Sequence, residues 1–192
     1  MSVRGVLQVH SAPPALCPHI EWAVAGILGV PVRLSWVDQP ASPGALRAEL
    51  DWHGVPGTSA AITSALAAWD RLRFEVTEEA SPGCDPVRYS CTPSLGTFSA
   101  VTSACGDILV PEARLRAAMT LAAAGRPARA DGGSGGLGVD SLMDLHGPRH
   151  PALGGSLEDE LALLLGQPWD HELEPFRHAA EGAPVRWLHA TG

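Results

Sequence analysis

The chain has 192 residues, and its 13 basic residues are all Arg; with 21 acidic residues the formal charge is -8. The absence of Lys excludes Schiff-base chemistry and a phosphate-loop lysine, and the absence of Asn excludes an N-glycosylation acceptor. An acidic balance also opposes a broad nucleic-acid footprint, which needs clustered positive charge, so no nucleic-acid partner is expected.

In chain order, Val3, Leu7 and Val9 alternate with Arg4, Gln8 and His10, the two-residue period of a half-buried strand. Pro13-Pro14 breaks it. Pro18 then stands where a first helical residue tolerates proline, and Ile20, Ala23, Val24, Ile27 and Leu28 follow at helical spacing up to Gly29. Two further alternating runs, Val32 to Trp36 and Leu46 to Trp52, are joined by the turn-rich Gln39 to Gly44. Thr58 or Ser59 is placed to cap a second helix carrying Ile62, Leu66 and Trp69, after which Leu72, Phe74 and Val76 alternate as a fourth strand.

Strand, helix, strand, strand, helix, strand is the split βαβ order, so the expected fold is α+β with a ferredoxin-like βαββαβ core. Right-handed crossovers place both helices on one face, and Trp36, Trp52 and Phe74 are expected to turn toward them. An added β-hairpin from Val87 to Val110 and a third helix from Pro111, with Leu115, Ala118, Met119 and Ala122 on its buried side, complete a core over residues 1–125. Residues 126–155 are Gly- and Pro-rich and read as a linker or insertion. Residues 156–192 form an acidic helical segment expected to dock on the core. Its first helix is capped by Ser156 with Asp159, Gln167-Pro168 breaks that helix, a second runs from Asp170 to Ala180, and a short strand falls near Val185 to His189.

The start of the chain lacks a signal-peptide core, and no run approaches the ~18 apolar residues of a membrane span, so a cytoplasmic protein without membrane contact is expected. In that compartment Cys17, Cys84, Cys91 and Cys105 read as reduced.

The sheet face away from the helices collects Arg4, Arg33, Arg47, Arg71 and Arg73 with Glu49, Asp51 and Glu75. Three readings stay open. The face is a solvated ladder of cross-strand ion pairs, or a recognition surface for carboxylate or phosphate, which suit the guanidinium fork, or the seat of the acidic residues Glu158, Glu160, Asp170, Glu172 and Glu174 folding back. An RNA platform does not fit, because the strand aromatics are turned inward. The loop from His10 to Glu21 gathers Ser11, Cys17 and His19 between a strand end and a helix start. It fits an anion or small-ligand pocket, a Cys17 nucleophile with His10 or His19 as base, or simple turn and helix-end structure. Ligand- or partner-binding candidates are therefore His10, Ser11, Cys17, His19, Glu21, Arg47, Arg73 and Glu75. Cys17 with His19, and His146 with His150, lack the companion ligands of a zinc site, and no metal or cofactor is expected. Asp140-Ser141-Leu142 resembles the phosphopantetheine attachment motif of acyl carrier proteins, but Gly147-Pro148 leaves no room for the long helix that should follow.

Arg4-Gly5-Val6-Leu7, Val9-His10-Ser11-Ala12-Pro13, Leu16-Cys17-Pro18-His19, Glu21-Trp22-Ala23 and the run Arg71 to Glu79 resemble an actinobacterial family, domain of unknown function 3145. So do Pro168-Trp169-Asp170, Glu172 to Arg177 and Gly182 to His189, whereas Arg126 to Gly155 is longer and more Gly-rich than that pattern. The resemblance carries no assigned activity or catalytic residue. It implies proximity to fatty-acid synthesis genes in some genomes, and hence a role around acyl metabolism. The combined expectation is a non-catalytic module that binds a protein partner or a small acidic metabolite, with a small Cys/His enzyme as the alternative.

Overall fold

The computed structural model describes residues 2–124 and 156–178. The Gly-rich span 126–155, with Ser141, His146 and His150, and the strand expected near Val185 to His189 lie outside the described residues.

Alternation makes Val3–Ala12 a strand, β1, which lies inside the sheet between its antiparallel partners β3 (Leu46–Gly54) and β4 (Arg73–Glu78). With β2 (Val37–Asp38), β5 (Val87–Thr92), β6 (Gly96–Thr102) and β7 (Ile108–Leu109), the protein is α+β, built on a seven-stranded antiparallel sheet in the order β2-β3-β1-β4-β5-β6-β7. The sheet is thus larger than the four strands of a ferredoxin-like core. The expected hairpin after Val87 continues it as a meander of three strands.

α1 (Cys17–Leu28) and α2 (Thr58–Leu66) cover one face, where Ile20, Val24, Ile62 and Leu66 bury against Leu7, Val9, Trp52, Phe74 and Val76. Burial of such side chains contributes roughly 1.5–3 kcal/mol each and accounts for the inward turn of Trp52 and Phe74. Gly5 is required at the crossing of β1: a Cβ there would lie 2.0 Å from the Thr77 carbonyl oxygen and 2.2 Å from the Trp52 ring.

α3 (Glu112–Ala124), α4 (Leu157–Leu164) and α5 (Gln167–Arg177) follow. The second face carries Phe98, Ala100 and Trp169 as its own apolar cluster, the Phe98 and Trp169 rings lying 5.2 Å apart and the Trp169 indole donating to the Gly96 carbonyl at 3.0 Å. Gly166 turns the chain between α4 and α5 at φ 70°, and a Cβ on it would strike the Phe98 ring at 2.5 Å, so only glycine fits both demands.

Several elements differ from expectation for local reasons. No strand forms over Val32 to Trp36, where Glu21 Oε1 takes the Leu34 N–H at 2.9 Å and the Trp36 indole N–H at 3.1 Å, and the short β2 begins only at Val37. The Leu34 N–H, held toward α1, does not enter the β3 ladder. α2 is capped neither by Thr58 nor by Ser59. Glu78 reaches across from β4 to accept the N–H groups of Gly57 and Ser59 at 2.8 and 2.9 Å, and the Ser59 hydroxyl at 2.6 Å. Burial opposes the charge on Glu78, but these donors hold its carboxyl below the usual range. On α3 only Ala118 of the expected apolar side is buried, Leu115 and Met119 being 37% and 54% exposed. Ser156 and Asp159 form the expected capping box, while the break after α4 falls at Gly166, with Pro168 inside the first turn of α5.

Gly5→Ala is expected to lower stability by about 1–3 kcal/mol through overpacking against Trp52 and a backbone carbonyl, measured by urea denaturation; an unchanged midpoint would show that β1 and β4 separate freely.

Candidate functional site

The register sets Glu75 on the second face, opposite Gln8 of β1 and Ser90 of β5. It is 5% exposed. A carboxylate this deep must be met by donors, and five contacts reach it. Arg177, in the last turn of α5, forks onto it, Nε to Oε2 at 2.8 Å and Nη2 to Oε1 at 2.7 Å. Arg88 Nε donates to Oε1 at 3.0 Å and the Ser90 hydroxyl to Oε1 at 3.1 Å. His10 Nε2 lies 2.7 Å from Oε2. Asp170, one turn into α5, binds both Arg88 and Arg177, the latter at 2.7 Å, so two carboxylates and two guanidinium groups balance.

Burial alone would raise the Glu75 pKa, but the His10 and Arg177 contacts outweigh it and hold the carboxyl well below the ordinary glutamate value. The same contacts, with Asp170, hold Arg177 above the ordinary guanidinium value despite its burial. Around this cluster Arg73 pairs with Glu172 at 3.2 Å and lies 4.8 Å over the Phe176 ring, and Ser94 hydrogen-bonds Glu172. Gln39, 1% exposed, donates to the His10 carbonyl at 2.6 Å and to the Phe176 carbonyl at 3.2 Å, tying the end of α5 to β1.

α5 lies against β5 and reaches β1, and beside it a cleft of about 440 Å³ opens over β1 and β3. Its walls include Gln8, His10, Arg47, Glu49, Phe176 and Arg177. Ser35, just before the β2–β3 ladder begins, and Val37, paired with Arg47 in it, complete the lining. Glu49 is held by the Gln8 amide at 3.3 Å. Arg47 is different: its Nε is buried and finds no hydrogen-bond partner among the described residues.

The eight sequence candidates therefore separate. His10 and Arg47 share the cleft, and Glu75 backs His10. Ser11 and Arg73 line a neighbouring polar cleft of about 440 Å³ with Arg71 and Asp70. Glu21 serves the backbone and indole groups of the segment before β2 and accepts from Arg33 at 3.3 Å. His19 is exposed. Cys17 is buried in the α1-side core, and its thiol lies 3.7 Å from the Pro13 carbonyl oxygen. The Cys/His pairing is thus without geometric support, since the His10 Nε2 is engaged by Glu75 and burial, with Glu21 adding, pushes the Cys17 thiol up. Arg88, Ser90, Gln39, Phe176 and Arg177 were not among the candidates, whereas Asp170 was read with the acidic residues folding back on this face. The first two were within reach, because their alternation in β5 puts them on the polar face beside Glu75.

Among the described residues no three His, Cys, Asp or Glu side chains gather as a metal set, and no helix is long and apolar enough to cross a membrane. The family model described as Protein of unknown function (DUF3145) matches residues 6–138 and 148–190. No curated protein and no solved structure matches the chain.

Two expectations follow. Glu75 has a lower pKa folded than unfolded, so the unfolded chain binds more protons in acid. Its contribution is present above the unfolded value of about 4.3 and is lost as pH falls below it. Glu75→Gln should therefore cost roughly 3 kcal/mol or more at neutral pH and flatten the acid limb of stability, as read by urea titrations from neutral to acidic pH; parallel curves for both proteins would contradict an ionised Glu75. Native alkylation with iodoacetamide followed by peptide mass mapping should label exposed Cys84 and Cys105 well before Cys17 and Cys91, whose thiols burial pushes up. Faster labelling of Cys17 would restore it as a reactive thiol.

Proposed function

Since the chain belongs to the DUF3145 family, whose description assigns no reaction, we propose its function from the cleft: a non-catalytic module that binds a small acidic metabolite through a carboxylate placed on Arg47. One observation carries this reading, the Arg47 Nε buried in the wall of an open cleft without a partner among the described residues. A buried, unmet donor costs about 1–3 kcal/mol, more when charged, and a carboxylate in the cleft offsets that penalty by pairing with the remaining N–H groups of the same guanidinium through charge-assisted hydrogen bonds. The neighbouring charges support binding rather than catalysis. Both Glu75 oxygens are already engaged, which leaves Glu75 no free proton-accepting role.

The scaffold reads as a ferredoxin-like core, β2-β3-β1-β4 with α1 and α2 on one face, widened by β5 to β7 and covered on its second face by the helices after Ser156. In a cytoplasmic protein around acyl metabolism, as the resemblance implies, small carboxylic acids are the ligand class to test. A protein partner is the second reading, and it is favoured by the exposed Leu115, Met119 and Leu121 of α3.

Arg47→Met tests the proposal because function and stability should move in opposite directions. The unliganded variant is expected to match the wild type or exceed it by about 1 kcal/mol, since an unsatisfied donor is removed. Stabilisation of the wild type by millimolar short-chain carboxylates, followed by thermal unfolding, should vanish in the variant, and the corresponding neutral amides should have no effect on either. A variant destabilised by more than about 2 kcal/mol would make Arg47 a structural residue instead.

A further inference from the structure

Backbone bonds at the β7 end of the sheet fix which groups of β6 are in use. Thr102 donates its N–H to the Pro86 carbonyl at 2.9 Å, and Ser103 donates to the Asp107 carbonyl at 2.7 Å. In an antiparallel ladder, residues bonded to one neighbouring strand alternate with residues bonded to the other. Phe98, Ala100 and Thr102 therefore turn their N–H and C=O groups to β5, while Thr97, Ser99 and Val101 turn theirs outward. Leu109 of β7 meets Val101, but Thr97 and Ser99 have no strand beside them among the described residues. The local sequence explains the vacancy in the ladder. A longer β7 would bring Pro111 opposite Ser99, a residue with no N–H to donate, and the chain instead turns into α3 at Glu112.

This open edge borders a cleft of about 500 Å³. α3 packs on α4 rather than on β6, and the cleft lies between α3, α4 and the strand. Phe98, Trp169, Leu163, Leu164 and Leu121 make its walls apolar. The Phe98 ring lies on the second face against Trp169, so alternation sends the Thr97 and Ser99 side chains the other way, the Thr97 hydroxyl reaching Cys91 of the first-face core. What these two residues present to the cleft is backbone. Arg114 of α3, exposed at the cleft, makes no side-chain hydrogen bond or ion pair among the described residues, whereas Glu160, the buried acid of the wall, has a partner of its own.

Unpaired backbone groups at every second residue, an apolar hollow between them and an unmatched cation together describe an extended peptide. We propose that the outer edge of β6 accepts a segment of a partner protein as an added strand. The segment pairs with Thr97 and Ser99, sets the apolar side chain between those pairs against Phe98 and Trp169, and carries an acidic residue beside Arg114. A second copy of this chain fits less well, because its own β6 edge, Thr97 to Ala100, brings no acid to Arg114 and carries a second α3 into the same cleft. The site is separate from the cleft over β1 and β3 and does not depend on what binds there.

The test uses the full chain and a blocked hexapeptide, acetyl-TLTLTD-amide, whose leucines reach the cleft when its threonines pair with Thr97 and Ser99. Hydrogen exchange of the assigned amides is followed in nitrogen-15 spectra. With the site about nine-tenths occupied, the Thr97 and Ser99 amides should exchange about tenfold more slowly, because only the free fraction opens to water, while Phe98 and Ala100, already bonded to β5, should change little. Methylating the threonine nitrogens of the peptide should abolish binding, whereas methylating its leucine nitrogens, which face away from β6, should preserve it. Arg114→Glu should weaken binding about threefold or more, and a peptide ending in lysine should restore it. Equal binding of the two methylated peptides, binding that leaves Thr97 and Ser99 unprotected, or no binding at millimolar peptide would overturn strand addition. Slow exchange of both amides in the dilute free chain would show an edge already paired, and protection that grows with protein concentration would put a second copy there; either result overturns the peptide partner. Indifference of Arg114→Glu to the terminal charge would overturn the acidic residue.

Discussion

A carboxylate in the middle of a sheet face cannot be left to itself. Glu75 stands on the central part of the second face, and its burial is tolerable only because Arg88, Ser90, His10 and Arg177 meet it. Arg88 and Ser90 come from the adjacent strand and are there whenever the sheet forms. Arg177 comes from α5, a hundred residues further along the chain, and it brings Asp170 to balance the added positive charge. The ion cluster thus ties the C-terminal helix to the face opposite α1 and α2. The Phe98–Trp169 contact supplies the apolar half of the same attachment. α5 lies on β5 and also reaches β1, where Gln39 holds its end, and the cleft opens beside that end over β1 and β3.

The same chemistry recurs at the edges of the fold, where acidic side chains replace hydrogen bonds that backbone groups would otherwise find in a ladder or a cap. Glu78 caps α2 from a neighbouring strand. Glu21 captures the Leu34 amide and the Trp36 indole, and the chain joins β3 only at Val37. That late entry has a consequence for the second face: Ser35 stands at the cleft beside Arg47 and Glu49 instead of lengthening the edge strand, in which Val37 pairs with Arg47. Among the described residues Arg47 is left in the wall of the cleft without an acid of its own, while Arg73, Arg88 and Arg177 are each paired. An unpaired guanidinium among paired ones is where an external anion gains most.

Legibility followed the range of the interaction. Period-two alternation in β1, β3 and β4 and helical spacing in α1 and α2 are local, and their elements formed within a few residues of expectation, together with the Ser156 capping box. The strand at Val32 to Trp36 failed for the opposite reason. Its alternation was sound, and Val32 and Leu34 do turn into the core, but a carboxylate from α1 claimed the backbone donor that pairing required. Likewise, no local feature announces that the cap of α2 would come from β4. Among the site candidates, His10, Arg47, Arg73 and Glu75 were visible as polar strand positions facing one way. The Cys17 loop was misleading because closeness in sequence at a strand-to-helix turn sends neighbouring side chains to different layers, His10 to the second face and Cys17 into the α1 core.

What the amino-acid sequence by itself determined is the periodic content: which stretches become strands and helices, which residues share a sheet face, and that the positive charge is carried by Arg alone. Those follow from dihedral preference and hydrophobic spacing, which act over a few residues. Which Arg finds an acid and which is left over was decided only by tertiary structure. Pairing depends on the docking of α5 over Glu75 and on the parting of residues 33–36 from β3. Both are set by contacts between residues distant in the chain, whose electrostatic worth exists only once water has been excluded from around them.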